Sequence, residues 1–449
     1  MLGSKRTTYS LSELPSELLE LILPKLSFIN MLSFKAVSTS MHYTVQNYLS
    51  LPPTPPHTPG PHHHLLQTPL LMLPFEEKEC DIDDDGFFTD DVGSFSRFFD
   101  LEHKRVGRLN NVPRELYNSQ CVGSSHGWLV LLDENADPFL LNLFSRVRIQ
   151  LPNKEALPHI LSVQKNSEDT VLVTYKVGNY RQYKLPLKHL HKHLIRKAVL
   201  SSNPSHNNNY RIVIIDGNQL KLAFFRPGDN AWTGLEGQQH APYCDITFDD
   251  DGMFFALSER GSVEVWGFHG SLPIKITTID PSFPIKEVEE PWQKDLYTTR
   301  CYLVETSGDL LLVERYIGEY VHDGVPVYEE DLLNGQTNHP LVCPYKTLQF
   351  RVYKLEFGQK KWVEVKSLSN SMLFLGGNHS MSLSAHDFPK YKANSIYFTD
   401  DYGDRMDEDY LYGGHDMGIF NLDDRSVEPF YQCNMQKIQP PPFWVVPNP

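Results

Sequence analysis

The sequence predicts a mostly β protein in which a small N-terminal helical module is joined by a proline-rich linker to a C-terminal β-propeller. Three observations lead to this prediction. Apolar residues recur at helical spacing in the first fifty or so residues, residues 52–61 contain six prolines, and strand-length apolar runs follow almost to the end. A length of 449 residues leaves room for two unlike modules of this kind.

The composition limits the classes of partner. Lys and Arg number 41 against 56 Asp and Glu, a net charge of −15, which argues against the basic surface that nucleic acid or an anionic membrane needs. The chain lacks the ~18 consecutive apolar residues of a membrane span, and its first residues lack the apolar core of a signal peptide. We therefore expect an intracellular protein, in the cytoplasm, the nucleus or both, whose six scattered cysteines are reduced thiols.

The negative charge is concentrated in two segments. Residues 76–102 carry a net charge of −9 and residues 400–428 carry −8, which leaves +2 for the rest of the chain. A closed propeller would bring these segments together, either as one acidic surface that attracts a basic target or as ordinary solvated loops. The near-neutral remainder leaves room for a basic patch elsewhere on the propeller.

Residues 9–50 form the predicted helical module. Leu14-Pro15 is expected to open the first helix, because proline at the first helical position lacks only an amide that has no partner there. Asn30 can cap a second short helix, and Ser38 can cap a third that carries Met41. The apolar stripe of the first helix consists of Leu18, Leu19, Ile22, Leu23 and Leu26. Three short helices cannot bury this many leucines among themselves, which predicts a partner helix.

The segment LPSELLELILPKLSFINMLSFKAVSTSM resembles the F-box. The usual F-box run is LPxELLxxIL, a spacer, a leucine and then a third helix led by valine. The residues that match it are Leu14, Pro15, Leu18, Leu19, Ile22, Leu23, Leu26, Leu32 and Val37. The resemblance implies that the module binds a Skp-family adaptor and, through it, a cullin. Met41 stands where the family usually has tryptophan, which leaves open a degenerate F-box.

Residues 51–75 are the predicted linker, because clustered prolines remove amide donors and extend the backbone. Residues 436–449, which are again proline-rich, are the predicted C-terminal tail. The region between them, 76–435, is the predicted propeller.

A weak internal repeat favours the propeller over a pair of β-sandwiches. Trp232 and Trp362 each follow a turn glycine, Gly228 or Gly358, by four residues, as in a hairpin whose second strand begins with an aromatic anchor. At ~40 to 50 residues a blade, the strand-rich region predicts about six to eight blades.

The same region carries a second resemblance. CVGSSHGWLVLLD, LLNLFSRVRIQLP, LAFFRPGDNAWT, YLVETSGDLLLVER, FRVYKLEFGQKKWVEV, MLFLGGNHSMSLSA, NSIYFTDD and DMGIFNL occur in this order. They look like the C-terminal domain of a large plant family of F-box proteins, the KIB-type β-propeller. This resemblance implies a propeller that presents a target protein.

Three patterns suggest other chemistry. GSSHG fits the G-x-S-x-G motif of serine hydrolases with Ser125 as nucleophile, but a strand follows it where a hydrolase has a helix. Residues 81–92 begin like a calcium loop and lack the acidic twelfth ligand. His189, His191 and His193 alternate, and on a strand they would share a face without converging on one metal ion. We therefore expect no catalytic residues, metal or cofactor.

These observations predict the substrate-recognition subunit of an SCF-type, cullin-RING ubiquitin ligase that is itself non-catalytic. The target protein is not identified by the sequence. A propeller scaffold without a working F-box is the first alternative, and a serine hydrolase that uses Ser125 is the second.

Overall fold

The computed structural model describes residues 14–23, 26, 30–31, 34, 38–49, 68–73, 95–110, 114–116, 119–165, 170–175, 181–186, 190–191, 194–206, 208–217, 220–237, 242–270, 272–280, 292–306, 308–333, 345–408, 413–429, 437–438 and 440–447. The chain divides into two compact units. One comprises Met1–Pro69 with Val446–Pro449, and the other is Leu70–Val445. Most of the predicted linker lies outside the described residues.

The N-terminal unit contains two well-defined helices among its described residues. Helix α1 is Ser16–Ile22 and helix α2 is Thr39–Leu49, and they pack against each other. Pro15 precedes α1 in an extended conformation, one residue before the position that the sequence predicted for it. Most of the predicted second helix lies outside the described residues, although Met31 within it is fully buried.

The larger unit is built from mostly antiparallel sheets arranged in chain order. Its first half contains three strands of blade 1, all of blades 2 and 3, and a smaller accessory sheet. Blade 1 contains β1 (Leu70–Leu73), β2 (Phe95–Asp100) and β3 (Arg105–Asn110). Blade 2 contains β4 (Gln120–Ser125), β5 (Trp128–Leu132), β6 (Pro138–Asn142) and β7 (Arg148–Gln150). The accessory sheet contains β8 (Ile160–Lys165), β9 (Thr170–Tyr175) and β10 (Arg181–Pro186). Blade 3 contains β11 (Ile195–Leu200), β12 (Ile212–Asp216), β13 (Leu222–Phe225) and β14 (Thr233–Gly234).

The second half continues with three more blades. Blade 4 contains β15 (Tyr243–Phe248), β16 (Phe254–Ser258), β17 (Val263–His269) and β18 (Leu272–Ile279). Blade 5 contains β19 (Tyr297–Thr306), β20 (Asp309–Gly318), β23 (Lys346–Glu356) and β24 (Lys361–Val365), with a small hairpin of β21 (Val321–His322) and β22 (Val325–Pro326) between its middle strands. Blade 6 contains β25 (Ser371–Leu375), β26 (Ser380–Ser384), β27 (Ser395–Phe398), β28 (Gly418–Asn421) and β29 (Val427–Glu428). Two short helices, α3 (Glu329–Leu333) and α4 (Gly403–Glu408), lie in the loops of blades 5 and 6.

The strands in the described part of the chain thus form a six-bladed propeller. The innermost strands β4, β11, β15, β19 and β26 each contact the next around the ring. The prediction of about six to eight blades is confirmed at its lower end. The accessory sheet explains why the strand-rich region is long enough for more blades, since its three strands pack beside blades 2 and 3 without forming a blade of the ring.

Apolar side chains fill the spaces between successive blades. Separate buried clusters join blades 3 and 4, blades 4 and 5, blades 5 and 6, and blades 6 and 1. Both predicted tryptophan anchors belong to such clusters. Trp362 lies in β24 and is 2% exposed, and Trp232 lies just before β14 and is 4% exposed. The hairpin interpretation of the repeat is therefore confirmed at both sites.

Two segments differ from the sequence prediction. Strand β1 falls within the range predicted as linker, and a final strand, β30 (Phe443–Val445), falls within the range predicted as tail. The two strands pair antiparallel, with Leu71 opposite Trp444, so that the C-terminal segment supplies a strand of blade 1. Pairing of strands that are so distant in sequence leaves no local pattern, and the neighbouring prolines conceal it further.

In the described part of the chain no helix is both long enough and apolar enough to cross a membrane.

Candidate protein-interaction sites

The first helix divides its leucines between the interior and the surface. The carbonyl oxygen of Pro15 accepts hydrogen bonds from the amides of Leu18 and Leu19, at 3.1 and 3.2 Å, which fixes the first turn. Leu19 and Leu23 are buried at 1% and 0% exposure. Leu18 and Leu21, three residues apart and hence neighbours on the helix, remain 47% and 67% exposed. Helix α1 therefore presents an apolar face beyond the one that it packs against α2.

The predicted F-box residues occupy three kinds of environment. Leu19 and Leu23 are internal, Leu14, Ile22 and Leu26 are half-buried, and Pro15 and Leu18 are exposed. Leu32 and Val37 lie outside the described residues. Leu21 is not in the predicted set, yet it is more exposed than Leu18. Its two-residue offset from the buried Leu19 and Leu23 places it on the outer face of the helix.

Met41 belongs to the interior of the helical unit. The Ser38 hydroxyl accepts a hydrogen bond from the Met41 amide at 3.2 Å, which confirms Ser38 as the predicted cap of α2. The Met41 side chain is 1% exposed and Val45, one turn later, is fully buried. Replacement of the usual tryptophan at this position therefore changes the core of the unit and leaves the exposed leucines in place.

The serine of the GSSHG motif lies in a β-hairpin. Strand β4 ends at Ser125, and strand β5 begins at Trp128. The turn between them has φ of 52° at His126 and 79° at Gly127, as in a tight two-residue hairpin turn. Ser125 is 8% exposed, and its hydroxyl accepts a hydrogen bond from the Leu200 amide of blade 3 at 3.4 Å. The strand-to-helix turn of a hydrolase nucleophile is absent here, so that this geometry does not support the hydrolase alternative.

The other chemical alternatives gain no support. His191 lies in a helical segment and its Nε2 contacts the carbonyl of Asp133, contrary to the strand on which the alternation argument depended. His189, His193 and residues 81–92 lie outside the described part of the chain. The residues that the structure does describe contain no group of three or more side chains able to hold a metal ion.

Three of the cysteines lie on innermost strands of the propeller. Cys121, Cys244 and Cys301 are free and half-buried. Burial raises the pKa of the Cys121 and Cys301 thiols to about 12, which keeps both protonated and unreactive at neutral pH. This agrees with the prediction of reduced thiols for these three; Cys80, Cys343 and Cys433 lie outside the described residues.

Acidic residues of the second acidic segment hold blades 5 and 6 together. Arg315 of β20 is fully buried and forms ion pairs with Asp401 at 3.0 Å and Asp416 at 2.9 Å. Desolvation and the neighbouring Asp416 raise the pKa of Asp400, which is also buried, to about 6. These three carboxylates are therefore unavailable to a partner.

Ion pairs also join the ends of the two acidic segments. Glu428 lies 3.8 Å from Lys104 of blade 1 and also contacts Lys392, while Lys390 contacts Glu102. The closed ring thus brings the segments together as predicted. However, lysines lie between them and three acids of the second segment are internal, so that the described residues do not form one continuous acidic surface.

The sequence is similar to one family along most of its length. A family model described as the KIB1-4 beta-propeller matches residues 98–421. Among curated proteins from Arabidopsis thaliana, the chain is 26% identical to "F-box protein SKIP23", with 97% of this chain and 95% of the relative covered. It is 24% identical to "Probable F-box protein At4g22060" (98% and 96% covered) and 22% identical to "F-box/kelch-repeat protein KIB1" (93% and 84% covered).

Proposed function

Because the chain belongs to the family of F-box proteins that carry a KIB1-4 beta-propeller, we propose that it is the substrate-recognition subunit of an SCF-type, cullin-RING ubiquitin ligase. In this proposal the N-terminal helices bind a Skp-family adaptor inside the cell, and the propeller holds a target protein for ubiquitination by other subunits. F-box proteins of this kind are typically non-catalytic, in keeping with the hairpin geometry around Ser125.

The observation that carries the proposal is the exposed apolar face of α1. Leu18 and Leu21 remain exposed, whereas Leu19 and Leu23 on the same helix are buried within the unit. Exposed leucines on a seven-residue helix are unfavourable in water. When a partner covers them, the binding free energy gains ~25 cal/mol for each Å² of apolar surface that is buried. A helix of the adaptor would provide that cover.

The propeller supports the second half of the proposal through its rigidity. Each pair of neighbouring blades described above shares a buried cluster, and Arg315 adds buried ion pairs between blades 5 and 6. A rigid scaffold holds its loops in a fixed arrangement, which lowers the entropy lost when a target binds.

The test of the proposal is co-purification with the adaptor. Leu18→Glu combined with Ile22→Glu should abolish binding to a co-expressed Skp-family adaptor, because two charges would have to be buried in an apolar interface. Glu17→Lys combined with Glu20→Lys is the matched control, since both glutamates are exposed on the same helix, and it should leave the complex intact. Retention of the adaptor by the Leu18/Ile22 variant would refute this face, and failure of the wild type to bind any Skp-family adaptor would refute the proposal.

A further inference from the structure

A polar cavity of about 340 Å³ opens where loops of blades 3 and 4 meet. Three loops line it: the β11–β12 loop contributes residues 208–211, the β13–β14 turn contributes residues 226–229, and the β17–β18 turn contributes Gly270. In antiparallel blades these loops, which follow the first and third strands, all lie at the same end of the propeller. The cavity is therefore part of one loop face of the ring.

The β13–β14 turn is built to hold two charged side chains side by side. It reads Arg226-Pro227-Gly228-Asp229, and the Asp229 amide donates to the Arg226 carbonyl at 3.1 Å. Gly228 has φ of +95°, the conformation that glycine adopts readily at the third position of a type II turn. The Nε of Arg226 then donates to both carboxylate oxygens of Asp229, at 3.1 and 3.2 Å. This leaves the two terminal nitrogens of the Arg226 guanidinium as further donors.

A second arginine, Arg211, lines the cavity from the β11–β12 loop. The guanidinium of Arg211 stacks over the Phe268 ring at 4.2 Å, and Phe268 in turn packs against Phe224 and Phe254. Stacking holds the planar group in place while its N–H donors point outward from its edge. Within the described part of the chain, Arg211 forms no ion pair.

The cavity therefore carries a net positive charge. Arg211 and Arg226 contribute two positive charges and Asp229 one negative charge, and the exposed Asn208 adds an amide. A concave site with an excess positive charge and fixed guanidinium donors fits an anionic group.

We propose that this cavity binds an acidic side chain of the protein that the propeller recognises. The inference rests on the proposed function for its biological meaning, although the binding itself does not depend on the adaptor. Leu272, which lies two residues beyond the cavity-lining Gly270, is 52% exposed and is available to the same partner segment. The recognised segment is thus an acidic residue with an apolar neighbour.

The test measures binding of short fluorescent peptides to the full-length protein. One peptide carries two glutamates followed by two leucines, a second has glutamines in place of the glutamates, and a third has phosphoserines. The glutamate peptide should bind the wild type more tightly than the glutamine peptide, and more weakly as salt is raised. Comparison with the phosphoserine peptide distinguishes a carboxylate from a phosphate as the preferred group.

Variants assign the binding to the cavity. Arg211→Ala and Arg226→Gln should each weaken glutamate-peptide binding about tenfold or more, the usual loss for a charge-assisted hydrogen bond. Arg226 is 42% exposed on its side chain, so that its replacement leaves the fold intact. Arg260→Ala is the matched control, because this exposed arginine lies in the β16–β17 turn, at the other end of blade 4. It should not change binding.

Three results would overturn the inference: equal binding of glutamate and glutamine peptides, unchanged affinity in both cavity variants, or an equal loss in Arg260→Ala. Absence of any binding by the wild type at ~1 mM peptide would also overturn it, since charge pairing in a formed cavity should give at least that affinity. Adaptor co-purification, measured separately on the same preparations, shows whether the proposed function stands when the cavity inference fails.

Discussion

Gly123 illustrates how single residues set the distance between blades. A Cβ atom at this position would lie 2.2 Å from the carbonyl oxygen of Ala198, on the innermost strand of blade 3. Because that oxygen belongs to the backbone, no side-chain rotation could relieve the overlap. The sequence around Gly123 does not reveal this neighbour, because blade 3 meets blade 2 only when the ring forms.

We expect Gly123→Ala to destabilise the propeller by about 1–3 kcal/mol, the usual cost of overpacking. Gly358→Ala is the control, because nothing lies within 4 Å of a Cβ placed there, and its effect should stay within about 0.5 kcal/mol. Chemical denaturation of both variants measures the difference. Equal stability of the two variants would show that blades 2 and 3 do not approach each other as described.

The carboxylates around Arg315 show what composition cannot reveal about charge. Asp400, Asp401 and Asp416 contribute to a strongly acidic stretch of sequence, yet all three surround one buried arginine. Arg315 is nearly 90 residues away from the first of them, and sequence spacing gives no sign of the pairing. The net charge of a segment therefore does not show which of its acidic residues lie on the surface.

At the scale of elements, the C-terminal strand β30 closes the ring. Trp444 is fully buried. Its indole N–H donates to the Leu375 carbonyl at 2.9 Å, and its ring packs edge-on against Phe374. The Asn378 side chain also donates to the Trp444 carbonyl at 2.7 Å. Blade 6 is thereby fastened to blade 1 through the last strand of the chain.

Trp444→Ala should lower the free energy of unfolding of the propeller by about 3–5 kcal/mol, the usual cost of truncating a buried tryptophan. Phe357→Ala is the aromatic control, because that ring is 44% exposed, and it should cost far less. Denaturant titration followed by circular dichroism compares the two. A loss in Trp444→Ala no larger than in the control would contradict the role of β30 in closure.

Elements with their own periodic apolar residues could be predicted from the sequence. Strands such as β5, β12 and β20 coincide with the apolar runs WLVLL, IVII and LLLV of the sequence, and Ser38 caps α2 as expected. Strands β1 and β30 could not be predicted, because their stability comes from pairing with each other across the whole chain. Blade number was limited to a range, since the accessory sheet has the same local pattern as a blade.

The whole molecule joins two units to which we assign separate tasks. The helical unit has the exposed leucines that we propose an adaptor covers, and the propeller has a loop face with a positively charged cavity. The F-box pattern identifies the leucines of α1 from sequence alone, but which of them remain exposed depends on the packing of α1 on α2. The cavity was beyond sequence analysis, because Arg211 and Arg226 meet only after the strands of blade 3 are paired.

Proximity labelling in the native cell tests whether the protein delivers targets for ubiquitination, as we propose. The wild type and the Leu18→Glu/Ile22→Glu variant are each fused to a labelling enzyme, with and without proteasome inhibition. With the wild type we expect labelled cullin, labelled Skp-family adaptor and a set of labelled proteins that accumulate in ubiquitinated form. With the variant, this set should lose the modification. Labelled partners whose ubiquitination and abundance are the same for both forms would contradict it.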